Sequence, residues 1–193
     1  MSATSSQYLI YLNFLDISVP QGPSVNEREF LFGLIRSSVA YTAVIPEPSD
    51  KLMEVNPGNI RFAAKASKSK LHQIVIQQSV VAWKAALEIR RLRKRDTRLV
   101  VRLPILPWSV LLLSLLNPTV PLYIKSLGDT DFMKRKVGFK RWLISPIAKL
   151  QSILVRLAVQ RATLIDTVTQ KLAVRIASSN GVDLSKIHVI PNS

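Results

Sequence analysis

The sequence contains no cysteine and, in 193 residues, only two histidines and six glycines. Without cysteine there is no disulfide framework, no thiolate metal site and no cysteine nucleophile. His72 and His188 stand far apart in sequence and offer no H-E-x-x-H spacing, so no metal site is assigned and a zinc enzyme is not expected. The turn Gln21–Asn26 carries a single glycine, so the dinucleotide fingerprint G-x-G-x-x-G is missing and a nicotinamide or flavin protein is disfavoured. Acidic residues are scarce as well: 12 Asp+Glu face 27 Lys+Arg, a formal charge of +15. A disordered basic tail is excluded, because 48% of the residues are hydrophobic. The length suits one ordinary domain with its own core, or two small ones. Met1–Ser6 places no positive charge ahead of the apolar run Tyr8–Leu15, so a cytoplasmic chain is expected.

The positive charge is concentrated in two blocks. Residues 61–102 hold 12 basic and 2 acidic side chains, and residues 131–161 hold 8 and 1. The densest runs are Arg90, Arg91, Arg93, Lys94 and Arg95, and Lys134, Arg135, Lys136, Lys140 and Arg141. Such runs attract polyanions, either nucleic-acid phosphates or an anionic membrane surface. A solvated helix face without a partner is the bland alternative.

Between the blocks, Leu103–Ile124 is free of charge and long enough to span a bilayer on paper. Pro104, Pro107, Pro118 and Pro121 argue against a span. The window reads better in three pieces: a strand Leu99–Leu103, a short buried helix Trp108–Leu116 opened by Pro107, and a strand Pro121–Ser126.

The same alternation runs along the whole chain. Strands are expected at 8–15, 40–45, 72–77, 98–103, 121–126, 162–168 and 187–190. Helices are expected at 27–37 (with Asn26 as N-cap and Glu29 as its capping-box partner), 80–95, 108–116, 146–161 and 170–179, the last closed by Asn180-Gly181. In the helix 80–95, Trp83, Leu87 and Ile89 are expected on the apolar face, opposite Lys84, Glu88, Arg91 and Arg95. Strands alternating with helices predict an α/β fold: one doubly wound, Rossmann-like parallel sheet with helices on both faces. Ligands then belong outside the carboxyl ends of the strands, and the turn after the first strand is the first place to look.

The C-terminal stretch is more specific. Ala162-Thr-Leu-Ile-Asp-Thr-Val-Thr169 and Gly181-Val-Asp-Leu-Ser-Lys-Ile-His-Val-Ile-Pro-Asn192 resemble the close of the N-terminal domain in family 4 glycosyltransferases. Gly22–Leu34 is similar to the glycine-containing loop and first helix of the same family. The resemblance implies the acceptor-side half of a two-domain, B-type glycosyltransferase fold, with residues 1–190 as its N-terminal domain and 191–193 starting the interdomain linker. It also implies that the donor-binding C-terminal domain is absent here. The family's paired glutamates stand eight positions apart, whereas Glu47 and Glu54 are seven apart and in the wrong half. This chain is therefore expected to hold no cofactor, the nucleotide-sugar donor needing the other domain, and to be inactive alone.

The implied activity is transfer of a sugar, with retention, to a polysaccharide, lipid-linked or other envelope acceptor. Gly22, Pro23 and Ser24 are candidates for meeting acceptor or donor phosphates at a helix N-terminus, and Arg102 for an anionic acceptor. Family members often place a histidine near the strand that here reads Leu122–Gly128, and this sequence has none there. Neither His72 nor His188 is assigned as general base; Asp129 and Asp16, near the ends of strands 121–126 and 8–15, are placed to accept a proton but read better as turn or capping residues. The resemblance gives the basic runs a partner, an anionic membrane surface, and thus a cytoplasmic chain peripherally associated with the membrane. A separately encoded donor-binding domain is a further possible partner. The competing class is a non-catalytic, basic nucleic-acid-binding α/β module using Arg90–Arg102; no RRM, KH or helix-turn-helix signature accompanies it.

Overall fold

The computed structural model describes residues 7–20, 22–49, 59–67, 69–92, 96–104, 106–125 and 141–190. Along them run β1 (Tyr8–Leu12), α1 (Gly22–Arg36), β2 (Ala40–Glu47), β3 (Ile60–Lys65), α2 (Gln78–Arg91), β4 (Thr97–Val101) and α3 (Trp108–Leu116). There follow β5 (Leu122–Ile124), α4 (Arg141–Arg161), β6 (Leu164–Thr167), α5 (Gln170–Asn180) and β7 (Ile187–Val189). A helical turn, Lys70–His72, and a π-helical stretch, Gln73–Gln77, lead into α2. The described strands form one open sheet in the order β3-β2-β1-β4-β5-β6-β7. The pairs β1–β2, β2–β3, β5–β6 and β6–β7 are parallel. Strand order reverses direction between β1 and β4, which is the switch point of a doubly wound sheet.

The chain divides into two compact units, Met1–Val100 and Val101–Ser193. In the first, Ile10, Tyr11 and Leu12 of β1 are buried, as are Tyr41 to Ile45 of β2. Such continuous burial is what strands covered on both faces require. The helix α1 buries Leu31 and Leu34, and α2 buries Val81, Ala85 and Ile89 at four-residue spacing. Over the outer strand, Lys84 of α2 donates to the Phe62 carbonyl of β3, and Arg61 Nε lies 3.4 Å from Glu88 Oε1.

In the second unit, the Lys125 amide donates to the Val101 carbonyl at 2.8 Å, extending the pairing of β5 past its end. The core is built by Leu122, Ile124 and Ile165 from the sheet, and by Val155, Ala158 and Val159 from α4. Arg161 of α4 donates to the Ser114 carbonyl of α3 at 3.2 Å. Thr169 caps α5 by accepting from the Leu172 amide, and Gly181 closes it at φ 64°, a left-handed conformation that glycine adopts without a Cβ clash.

Seven strands are expected and seven are described, but the third differs. The stretch 72–77 is helical, and the strand is Ile60–Lys65. The β-branched run Ile74-Val75-Ile76 is overridden by tertiary context: the following Gln77 faces inward and bonds the backbone after β1. Helix α1 starts at Gly22, so Asn26 lies inside it and is not its N-cap. Helix α4 starts at Arg141 and contains Pro146. Trp83 and Leu87 do not join the core; they are 64% and 45% exposed, while Ile89 is buried. The short helix at 108–116 forms where expected but is buried on one side only, with Leu112 and Leu116 facing outward. Among the described residues, no helix is long and apolar enough to cross a membrane; 103–124 holds α3 and β5, while the strand expected at 99–103 is β4, which ends at Val101.

Candidate functional site

At the carboxyl end of β1 the chain turns on a buried asparagine. The Asn13 amide donates to the Val44 carbonyl at 3.2 Å, continuing the ladder with β2. Its side chain then closes a tight loop, accepting from the Leu15 amide at 2.9 Å and donating to the Leu15 carbonyl at 3.1 Å. One residue earlier, the Phe14 carbonyl accepts from Gln77 Nε2 at 2.7 Å. Gln77 is 1% exposed, and its Oε1 has no hydrogen-bond partner among the described residues. The π-helical stretch that ends at Gln77 thus presents an unused acceptor beside the β1 loop, and such insertions concentrate at functional sites.

Asp16 closes the loop against the end of β2. Its carboxylate accepts from the Ser18 amide at 3.0 Å, the Ser18 hydroxyl at 2.6 Å, the Ser49 amide at 3.3 Å and the Ser49 hydroxyl at 2.5 Å. Partial burial pushes the carboxyl pKa up, but these donors outweigh it and hold the group below the ordinary carboxylate value. At neutral pH Asp16 is therefore an ionised clamp, in keeping with its reading as a turn residue.

Gly22, Pro23 and Ser24 form the first turn of α1 and not a loop ahead of it. Proline is tolerated in a first turn because its missing N–H would have had no helical partner. Tyr11 ties the helix to β1. The Tyr11 hydroxyl donates to the Glu27 carboxylate, with both residues at 0% exposure, and the Tyr11 ring lies 5.0 Å from Phe30, centroid to centroid, tilted by 56°. Free N–H groups of the first helical turn suit an anion.

In the second unit, Arg102 follows the last residue of β4 and is half-buried. Further along, Asp166 of β6 pairs in register with His188 of β7. Lys125 stands one residue beyond the Ile124–Ile165 pair, at the level of Asp166. Burial raises the Asp166 pKa, and the fields of His188 and Lys125 offset only part of that rise. This row at the carboxyl edge was not foreseen. Period-2 patterning places each residue on a face, but nothing in the sequence reveals which strands become neighbours.

Of the basic runs, Arg90 and Arg91 are exposed at the end of α2, and Arg91 approaches Glu88 at 4.0 Å. Arg93, Lys94, Arg95, Lys134, Arg135, Lys136 and Lys140 lie outside the described residues, as do Glu54, Asp129 and the side chain of Arg141. Glu47 ends β2, exposed. Among the described residues no cluster of three or more histidine, aspartate or glutamate side chains could hold a metal ion.

The sequence matches no protein-family model and no curated protein. Solved structures do match. The UDP-GlcNAc 2-epimerase of Neisseria meningitidis bound to UDP-GlcNAc is 10% identical, with a TM-score of 0.52 over 95% of this chain and 45% of that one. The S. aureus MnaA–UDP co-structure is 13% identical, with a TM-score of 0.50 over 95% of this chain and 44% of that one. This chain thus spans less than half the length of either neighbour. The likeness shows the fold: an open parallel sheet of the Rossmann-like type with helices packed on it.

Proposed function

We propose that the chain is the acceptor-side half of a sugar-nucleotide enzyme, moving a sugar with retention from a nucleotide-sugar donor to a polysaccharide, lipid-linked or other envelope acceptor. The observation that carries the reading is the match of 95% of this chain to under half of two proteins whose structures hold UDP-GlcNAc and UDP. The segment 181–192 turns the reading towards glycosyl transfer of the family 4 kind. In this reading the first turn of α1, at Gly22 and Ser24, meets phosphate or sugar oxygens of the acceptor, and Arg102 an acceptor anion. The donor is held by a second domain. The basic runs, of which Arg90 and Arg91 are the described members, hold the protein against anionic lipid.

The names of the two neighbours favour a second reading, a UDP-sugar epimerase half. Amide NMR separates them. Titration with a polyprenyl-phosphate-linked saccharide is expected to shift the amides of Gly22, Ser24 and Arg102 saturably, while UDP-GlcNAc alone gives no saturable shift. Saturable UDP-GlcNAc binding with no response to the saccharide would overturn the acceptor-side reading in favour of the epimerase.

A further inference from the structure

We propose that the stretch 70–77 is a two-register switch. Its π-helical form pins the loop after β1, and an α-helical form, one residue out of step, releases that loop and buries an apolar stripe instead. The switch stands on the geometry of the first unit; it draws on the function proposed above only for the ligand that biases it.

Helix α2 turns Gln78, Val81, Ala85 and Ile89 inward, at spacings of three and four residues. Carried back at the same spacing, that stripe takes in Val75, Ile74 and Leu71, all apolar. In the structure the stripe is broken. The Gln78 amide donates to the Gln73 carbonyl, five residues back, and the extra residue of this wider turn rotates everything before it. Gln77 is thereby turned inward, while Leu71 and Val75 are left outside, 73% and 50% exposed. The apolar period of the sequence and the observed burial are out of step by one residue.

Each register satisfies what the other leaves unmet. In the π form, Gln77 Nε2 holds the Phe14 carbonyl at 2.7 Å and Gln73 Nε2 donates to the Ser67 carbonyl. Against this stand two buried polar atoms, Gln77 Oε1 and His72 Nδ1, that lack a hydrogen-bond partner among the described residues. On an unbroken α-helix His72 falls in line with the exposed Ser79, and Gln77 with the half-buried Lys84, each seven residues on, so both leave the buried side. Leu71, Ile74 and Val75 take their place, and the Phe14 carbonyl loses its donor. That carbonyl lies in the loop that Asn13 closes on Leu15 and Asp16 ties to Ser49. Close-packed alternatives of this kind adopt one arrangement or the other, not a blend. The loop sits at the carboxyl end of β1, where ligands of such sheets bind, so a ligand that needs the ordered loop selects the π form.

The chain has no cysteine, so a single introduced one reports the register. Leu71→Cys alone is expected to react with a maleimide nearly as fast as an unfolded control. Adding Gln77→Ala removes the Phe14 bond and the stranded acceptor, tips the stretch to the α form, and should slow labelling about tenfold through the shift in population. Mere loosening after loss of a hydrogen bond would speed labelling, not slow it. A second variant acts in the opposite direction without touching a buried residue. Val75→Gln weakens only the α form, and should slow amide exchange at Leu15 and Ser18 about tenfold. Equal labelling with and without Gln77→Ala, or Leu15 and Ser18 exchange unmoved by Val75→Gln, would overturn the switch and leave the acceptor titration unaffected. A polyprenyl-phosphate-linked saccharide should restore fast labelling in the Gln77→Ala chain. Saccharide that binds without restoring it would overturn the coupling to the ligand; saccharide that does not bind at all would overturn the proposed function while the labelling difference stands.

Discussion

Removing one oxygen atom from the core of the first unit tests the account of how α1 is held. Tyr11→Phe keeps the ring, its burial and its tilted contact with Phe30, so it opens no cavity. What it removes is the hydroxyl donor to Glu27, a carboxylate at 0% exposure. Leaving a buried polar group without its donor costs about 1–3 kcal/mol, because water cannot reach the site to replace it. The expected cost is therefore about 2 kcal/mol, or about 4–8 °C in Tm for a chain of this size. Urea unfolding gives the energy, and hydrogen exchange at the amides of β1 and α1 localises it. Glu27→Gln keeps an acceptor and should cost less, about 1 kcal/mol, and the double variant should show a coupling of about 1 kcal/mol. Tyr11→Phe within about 0.5 kcal/mol of wild type, or two costs that simply add, would refute the pinning of α1 through this pair.

Three other perturbations follow from the geometry. The Asp16 pKa is lowered on folding, so its clamp stabilises the protein above the unfolded value of 3.8 and is lost as pH falls through the folded value; acid unfolding of wild type and Asp16→Asn should separate above that window and converge below it. Asp166 has the opposite sign: its raised pKa means the carboxylate is destabilising once ionised, so Asp166→Asn should gain stability at neutral pH and lose the gain as pH falls towards 3.8, read from pH-dependent melting. Gly181→Ala should cost about 1 kcal/mol in urea unfolding, because φ is 64° while the nearest atom to a new Cβ is 3.9 Å away; the penalty is conformational, not steric crowding by neighbours.

Most of the alternation was legible because its punctuation is local. Asn180-Gly181 as a stop and Pro107 before α3 each act through their own backbone, and each stands where its residue type predicts. The failures came where partners decide. Ile74-Val75-Ile76 has the composition of a strand, yet the amide of Gln77 reaching Phe14 belongs to a helix. Ile60–Lys65 has too few β-branched residues to stand out, and β2 recruits it as an edge. Trp83 and Leu150 sit at helical spacing like core residues, but spacing defines a face without saying what covers it. For the site, the strand ends and the start of α1 could be anticipated, whereas the Asp16–Ser49 clamp and the Lys125–Asp166–His188 row depend on which strands lie side by side.

The lysine that reaches from α2 onto β3 has a consequence for how the protein behaves in concentrated solution. β3 is the outermost strand of its side of the sheet, and an outermost strand is a template for pairing with another chain. The Lys84 ammonium occupies the Phe62 carbonyl, in the middle of that strand. An incoming strand would have to displace a hydrogen-bonded cation before it could zip along β3. Protection against strand addition is thus supplied from a neighbouring helix, so colloidal stability depends on a residue that no inspection of the edge strand's own sequence would single out.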